Sequence, residues 1–139
     1  MLNRDRTGLH PELTVAAVVE RNGRFMLVEE RVSGHLVLNQ PAGHVEPGES
    51  LADAVVREAL EETAWCFVPE AIIGVYLWGR EGKQNPFLRV AFSGRCTAHD
   101  SQRELDTGIE RVAWLSRSDP TARSARLRSP MVMRAVDDY

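Results

Sequence analysis

The chain has 139 residues, with 17 Lys+Arg against 20 Asp+Glu and a formal net charge of -3 at pH 7. That length suits one compact domain burying about two thirds of its unfolded surface, and residues 1–139 read as a single domain. The apolar and charged fractions, 43% and 27%, argue against disorder. The slight acidity argues against a dedicated binder of polymeric nucleic acid, whose affinity comes from neutralising phosphates with basic residues.

No apolar run approaches the ~18–20 residues needed to span a bilayer. The N-terminal MLNRDRTGLHPELTV has neither a long apolar core nor a small-residue cleavage pattern, so the expectation is a cytoplasmic protein without a membrane segment. Cys66 and Cys96 form no CxxC pair and read as reduced thiols in or near the core.

In chain order, Leu13–Glu20 reads as a buried strand, Arg21-Asn22-Gly23-Arg24 as an Asn-Gly turn and Phe25–Glu30 as the returning strand of a hairpin. His35–Asn39 is a short third strand, broken by Pro41 and Gly43. Pro47-Gly48 turns the chain, Ser50 caps a helix over Leu51–Thr63, and Asp53 stands in a capping-box-like position. Ala71–Trp78 and Phe87–Phe92 form a second hairpin around the polar tip from Arg80 to Pro86. Ile109–Leu115 is one more strand, and two helix starts follow, Ser118 before Pro120 and Ser129 before Pro130. The five arginines from Arg117 to Arg134 read as a solvated helical face, while Met131, Val132 and Met133 pack in cis or against a second subunit. The order β-β-β-α-β-β-β-α predicts an α+β fold, a mixed sheet covered by helices.

The charge is unevenly placed. Between Gly43 and Ala64 lie six acids and one base, a local net of -5 that leaves the rest of the chain mildly basic. On the predicted helix Glu58 and Glu62 share a face, one turn apart, and continue a stripe begun by Leu51 and Val55. A purely solvated face would keep its charges off that stripe. Glu61-Glu62 alone could be an exposed pair on an ordinary helix. Carboxylates spaced three and four apart repel each other, and a divalent cation between them reverses the sign. Hard oxygen donors without a ligating His or Cys favour Mg²⁺ or Mn²⁺ over zinc. Arg57 is placed to pair with Glu49 across the loop-to-helix junction.

Gly43, five residues, Glu49, seven residues, then Arg57-Glu58-Ala59-Leu60-Glu61-Glu62 resembles the Nudix box, Gx5Ex7REUxEExGU. Residues 43–65 read GHVEPGESLADAVVREALEETAW, with every acidic and basic position filled. Ala64 stands where the pattern has glycine. If that glycine serves a left-handed helix stop, alanine costs about 1–2 kcal/mol. The run from Asn39 to His44, Pro86-Phe87-Leu88-Arg89 and Leu127-Arg128-Ser129-Pro130 look like the bacterial NudJ-type phosphatases.

The resemblance implies a Nudix α/β/α sandwich with a mixed sheet and the catalytic loop-helix-loop. It also implies a Mg²⁺-dependent hydrolase, with Mn²⁺ as a substitute, cleaving phosphoanhydride bonds of nucleoside tri- and diphosphates or of hydroxymethylpyrimidine pyrophosphate. ADP-ribose, sugar-nucleotide or dinucleoside-polyphosphate cleavage is the alternative within the enzyme class, and a non-catalytic nucleotide-binding regulator the alternative outside it. Carried over by position, Glu58, Glu62 and Glu61 are metal ligands, joined by the Ala42 or Gly43 carbonyl. Arg57 and Glu49 belong to the catalytic set with Glu58, the in-box general base. Glu104, Asp106 or Glu110 can contribute from a later loop. Trp78 and Tyr76 can stack on a ring, Arg80, Arg89 and Arg128 can hold distal phosphates, and His44 borders the site. The partner is a small phosphorylated substrate, and the protein a monomer or homodimer.

Overall fold

The computed structural model describes residues 8–79, 85–119 and 126–139. Arg80, Pro120 and Arg123 lie outside the described residues, so the roles expected of them are not addressed by the fold. The elements are β1 (Glu12–Val18), β2 (Glu20–Arg21), β3 (Arg24–Val32), β4 (His35–Asn39), β5 (Ala42–His44), α1 (Leu51–Thr63), β6 (Trp65–Trp78), β7 (Phe87–His99), β8 (Ile109–Ser116) and α2 (Met131–Asp138).

Asn22 and Gly23 both take positive φ, 54° and 79°, the primed-turn geometry that suits a two-residue hairpin. The hairpin is shorter than expected. From this segment Glu20 and Arg21 pair with β3, with Val19 O accepting the Met26 N–H at 2.9 Å, while β1 pairs antiparallel with β5 and parallel with β7. The reason lies in β1 itself. Val15 to Val18 are 0–1% exposed, and so continuous a buried run needs cover on both faces and a partner on both edges. The result is a mixed sheet in the order β5-β1-β7-β6, and a second sheet in which β3 is flanked by β4 and β8 and extended by β2. β5, where Pro41 and Gly43 had suggested a break, is a three-residue strand against β1. β6 and β7 form the expected hairpin with Trp78 opposite Phe87, but extend to a base at Trp65 and His99.

α1 starts where its cap predicts, with the Asp53 N–H donating to Ser50 Oγ at 3.0 Å. Its apolar face, Val55 and Ala59 among it, packs on Val15, Val90 and Phe92 of the first sheet. It stops at Ala64, which sits in the left-handed region at φ 62°, ψ 12° and donates its N–H back to Leu60. The missing glycine was therefore a helix stop, and alanine carries the strain. Trp65 follows at once, and the Arg21 guanidinium lies 5.0 Å from its ring and 5.3 Å from that of Trp114, tying the helix exit to β8.

At the C-terminus the helix starts one residue later than expected, at Met131 with Pro130 as its cap residue, and Ser129 Oγ accepts from Met131 N–H at 3.2 Å. Met131, Val132 and Met133 are buried in cis. The arginine face is not: of the described arginines only Arg134 is on α2, while Arg117 follows β8 and Arg126 and Arg128 precede the helix. Cys66 and Cys96 are free thiols, the first exposed and the second buried. No described helix is long and apolar enough to cross a membrane.

Candidate active site

The loop from β5 into α1 is held by one side chain. Arg57 clamps Glu49 with two parallel bonds, Nε to Oε2 at 2.7 Å and Nη2 to Oε1 at 2.8 Å, and its Nη2 also reaches the His44 carbonyl at 3.0 Å. Its remaining Nη1 donates to Glu58 at 2.8 Å and Glu61 at 3.3 Å. Glu49 in turn accepts the Glu46 N–H at 2.8 Å. A planar fork suits this task, because one guanidinium can satisfy three carboxylates and a carbonyl in fixed directions. The Arg57 bonds pull the Glu49 carboxyl down to about 2.

Gly43 lies directly against the Glu58 carboxylate, so that a Cβ there would overlap it. The glycine is needed for close approach, since it is not among the residues of positive φ. One turn on, Glu62 accepts the Ala42 N–H at 2.9 Å, which pins the loop to the helix from its other side. Burial pushes the Glu58 carboxyl up, and pushes that of Glu62 up to about 8 with help from the neighbouring negative charge of Glu58.

The left-handed stop at Ala64 leaves carbonyls at the end of α1 free for the β7–β8 loop. Asp100 N–H donates to Ala64 O at 2.9 Å and Asp106 N–H to Glu61 O at 3.0 Å. Docked this way, Asp106 brings its carboxylate to the helix, and one oxygen from each of Glu58, Glu61 and Asp106 falls within a 4.8 Å span. Three carboxylates this close repel one another; Arg57 offsets part of that at Glu58 and Glu61, and a cation among the three would offset the rest. The all-oxygen donor set fits a hard divalent cation, so the residues present suit the metal that the motif implies. Glu62 is not part of this triplet, because its Oε1 is turned to Ala42. Of the other two acids, Glu110 is on β8 and not in the loop, pairing with Arg31 at 3.2 Å, and Glu104 is exposed outside the triplet.

Beside Ala42 and Gly43 opens a cavity of about 230 Å³. Trp78, Phe87, His44, Arg89 and Arg128 line it, so four of the residues expected near substrate meet there. Tyr76 does not. It shares a face of β6 with Trp78, two residues on, but is 4% exposed and donates to Asp138 at 2.8 Å, holding α2 in place. His44 lies 3.6 Å from Glu12. Three polar residues of the wall had no role assigned from the sequence: Glu30, Asn39 and Thr14. A fourth, Gln40, supports the wall from behind, with its side-chain N–H on Val132 O at 2.7 Å. The signal for Glu30 was a charged residue closing an apolar strand; Asn39 and Gln40 lay inside the run noted as NudJ-like.

A family profile described as the NUDIX domain matches residues 10–135. The chain belongs to the Nudix family. This Nudix chain is 36% identical over 129 residues to the phosphatase NudJ of Shigella boydii and of Escherichia coli, covering 93% of this chain and 83% of theirs. A solved structure described as a NUDIX hydrolase from Nitrosomonas europaea is 46% identical and superposes with a TM-score of 0.88, over 94% of this chain and 88% of that one. A MutT NUDIX hydrolase from Burkholderia pseudomallei is 18% identical with a TM-score of 0.79, over 93% and 98% of the two chains, and shares the fold. The Nudix chain is accordingly an enzyme, a hydrolase of the pyrophosphohydrolase and phosphatase type.

Proposed function

We propose that this protein is a Mg²⁺-dependent phosphatase of the NudJ kind, releasing phosphate from nucleoside tri- and diphosphates or from hydroxymethylpyrimidine pyrophosphate. The observation that carries the reading is the convergence of Glu58, Glu61 and Asp106, with Glu58 against Gly43, a residue that also lines the cavity. Those three carboxylates, with Glu62 and the Ala42 or Gly43 carbonyl adjoining, would hold the cation; Mn²⁺ satisfies the same donor chemistry. When bound, the metal supplies positive charge against the phosphate oxygens and makes water easier to deprotonate.

The chain's own residues do the rest. Arg57 fixes Glu49, Glu58 and Glu61 in one geometry before substrate arrives, which lowers the reorganisation needed at the reacting centre. Glu58 takes the proton of the attacking water, a role helped by burial that keeps its carboxyl more basic than usual. The cavity receives the organic part of the substrate. The reading takes residues 1–139 as one domain acting in the cytoplasm as a monomer or homodimer, on small phosphorylated molecules and not on nucleic-acid polymers or membranes.

The test is phosphate release from a substrate panel with Mg²⁺, comparing wild type with Glu58→Gln and Glu62→Gln. A loss of at least about 100-fold in each variant is expected. Unchanged hydrolysis in both would overturn the mechanism, and tight nucleotide binding without turnover in wild type would point to a regulator instead.

A further inference from the structure

The cavity beside the carboxylates has two chemically different ends. Trp78 and Phe87, cross-strand partners on β6 and β7, make an aromatic wall, with the His44 ring edge-on to Phe87 at 6.3 Å. Glu30, Asn39, Arg89 and Arg128 make a polar one. A row of arginines suggested a phosphate at this end, but the geometry argues otherwise. Arg89 is only 5% exposed, and its Nη1 and Nη2 are bound by two amide oxygens, Gln40 Oε1 and Asn39 Oδ1, each at 3.1 Å, while its buried Nε has no hydrogen-bond partner among the described residues. Arg128 faces Glu30 at 3.7 Å. A second phosphate would meet the Glu30 carboxylate in the same wall.

Arginine has donors only, so it fixes which way the Asn39 amide points: oxygen toward Arg89, nitrogen away. The Asn39 nitrogen lies 3.4 Å from Glu30 Oε1. Both contacts of Glu30, to Asn39 and to Arg128, are long for hydrogen bonds, so the carboxylate keeps acceptor capacity for a ligand. The wall therefore offers a strong acceptor beside a fixed donor. Its complement is a flat ring bearing an amino group next to an acceptor atom. The volume of about 230 Å³ lies below the ~300–1,000 Å³ that encloses a drug-sized ligand and suits one ring, not a whole nucleotide.

We propose that Glu30 and Asn39 are specificity-determining residues that read the edge of an amino-substituted single-ring heterocycle stacked against Trp78 and Phe87. Arg89 and Gln40 are positioning residues, linking the Asn39 amide to the Val132 carbonyl of α2. The proposal rests on the cavity holding the organic part of the substrate, as in the function proposed above.

The test is calorimetric titration of the full chain with cytidine and uridine monophosphates, which share sugar, phosphate and ring size and differ in the edge that Glu30 faces. Wild type is expected to bind the cytidine compound about tenfold more tightly. Glu30→Met should erase the preference by weakening the cytidine compound alone. Glu30→Gln, nearly isosteric and able to donate or accept, should bind both within about twofold of each other. Equal affinities in wild type, no binding of either compound, or a preference that survives in both variants would overturn the proposal. Phosphate release from nucleoside triphosphates, measured on the same samples, separates the two ideas. Hydrolysis without the cytidine preference sinks the ring-reading proposal alone, and the preference without hydrolysis sinks the catalytic one alone.

Discussion

Gly43→Ala isolates the close contact between the β5 loop and the helix. An added Cβ would fall on the carboxylate carbon and both oxygens of Glu58, inside the 3.0 Å that real Cβ atoms essentially never breach and far inside ordinary contact at 3.4 Å. Gly43 does not have positive φ, so the backbone accepts alanine and the side chain of Glu58 must yield. Retreat on the order of 1 Å is required, and a displacement of that size in a catalytic group costs about 100-fold, or about 2.7 kcal/mol in the barrier. Global stability should hold or rise slightly, because alanine narrows the unfolded ensemble by about 0.4–1 kcal/mol. Phosphate release with Mg²⁺ should therefore fall by about two orders of magnitude in kcat, while the thermal midpoint stays level. Combining the change with Glu58→Asp, one methylene shorter, should cost less than the two single losses added together. Activity within about twofold of wild type would refute the argument that glycine is there to make room for Glu58.

Three other outcomes are expected. Arg57→Lys removes the two parallel bonds to Glu49 and should lower kcat by about 10–100-fold with little change in KM; a change confined to KM would mean that Arg57 serves binding. Burial holds the Glu62 carboxyl at about 8 against an ordinary 4.5, so in chelator its contribution to stability is fully present below pH 4.5 and is lost as pH rises through about 8. Denaturation in chelator should show a loss on the order of a few kcal/mol across that window, closed by added Mg²⁺, and a flat profile would refute it. Tyr76→Phe deletes the bond to Asp138 and should cost about 1–2 kcal/mol of unfolding free energy with hydrolysis intact; a loss of activity instead would return Tyr76 to the substrate side.

Local interactions made much of this protein readable in its sequence. The helix over Leu51–Thr63, its Ser50 cap and the Arg57–Glu49 pair depend on residues at most eight apart. Such contacts are set by helical periodicity and side-chain chemistry, whatever the rest of the chain does. The Asn22-Gly23 turn is local in the same sense, and so is the left-handed strain placed on Ala64.

What the tertiary structure decided are the pairings between distant segments. Sequence alone offered Glu104, Asp106 and Glu110 on equal terms; two backbone bonds from the β7–β8 loop to the end of α1 bring Asp106 to the helix. Tyr76 and Trp78 are two apart on one strand and share a face, yet Tyr76 locks α2 to the sheet while Trp78 is part of the cavity wall. Glu30, Asn39, Gln40 and Arg89 meet only because the two sheets and α2 enclose them. A buried polar group must find its partner wherever packing places one, and no spacing rule along the chain records where that is. The acidic patch is thus a property of one helix and its loop, whereas the chemistry of the pocket beside it is a property of the fold.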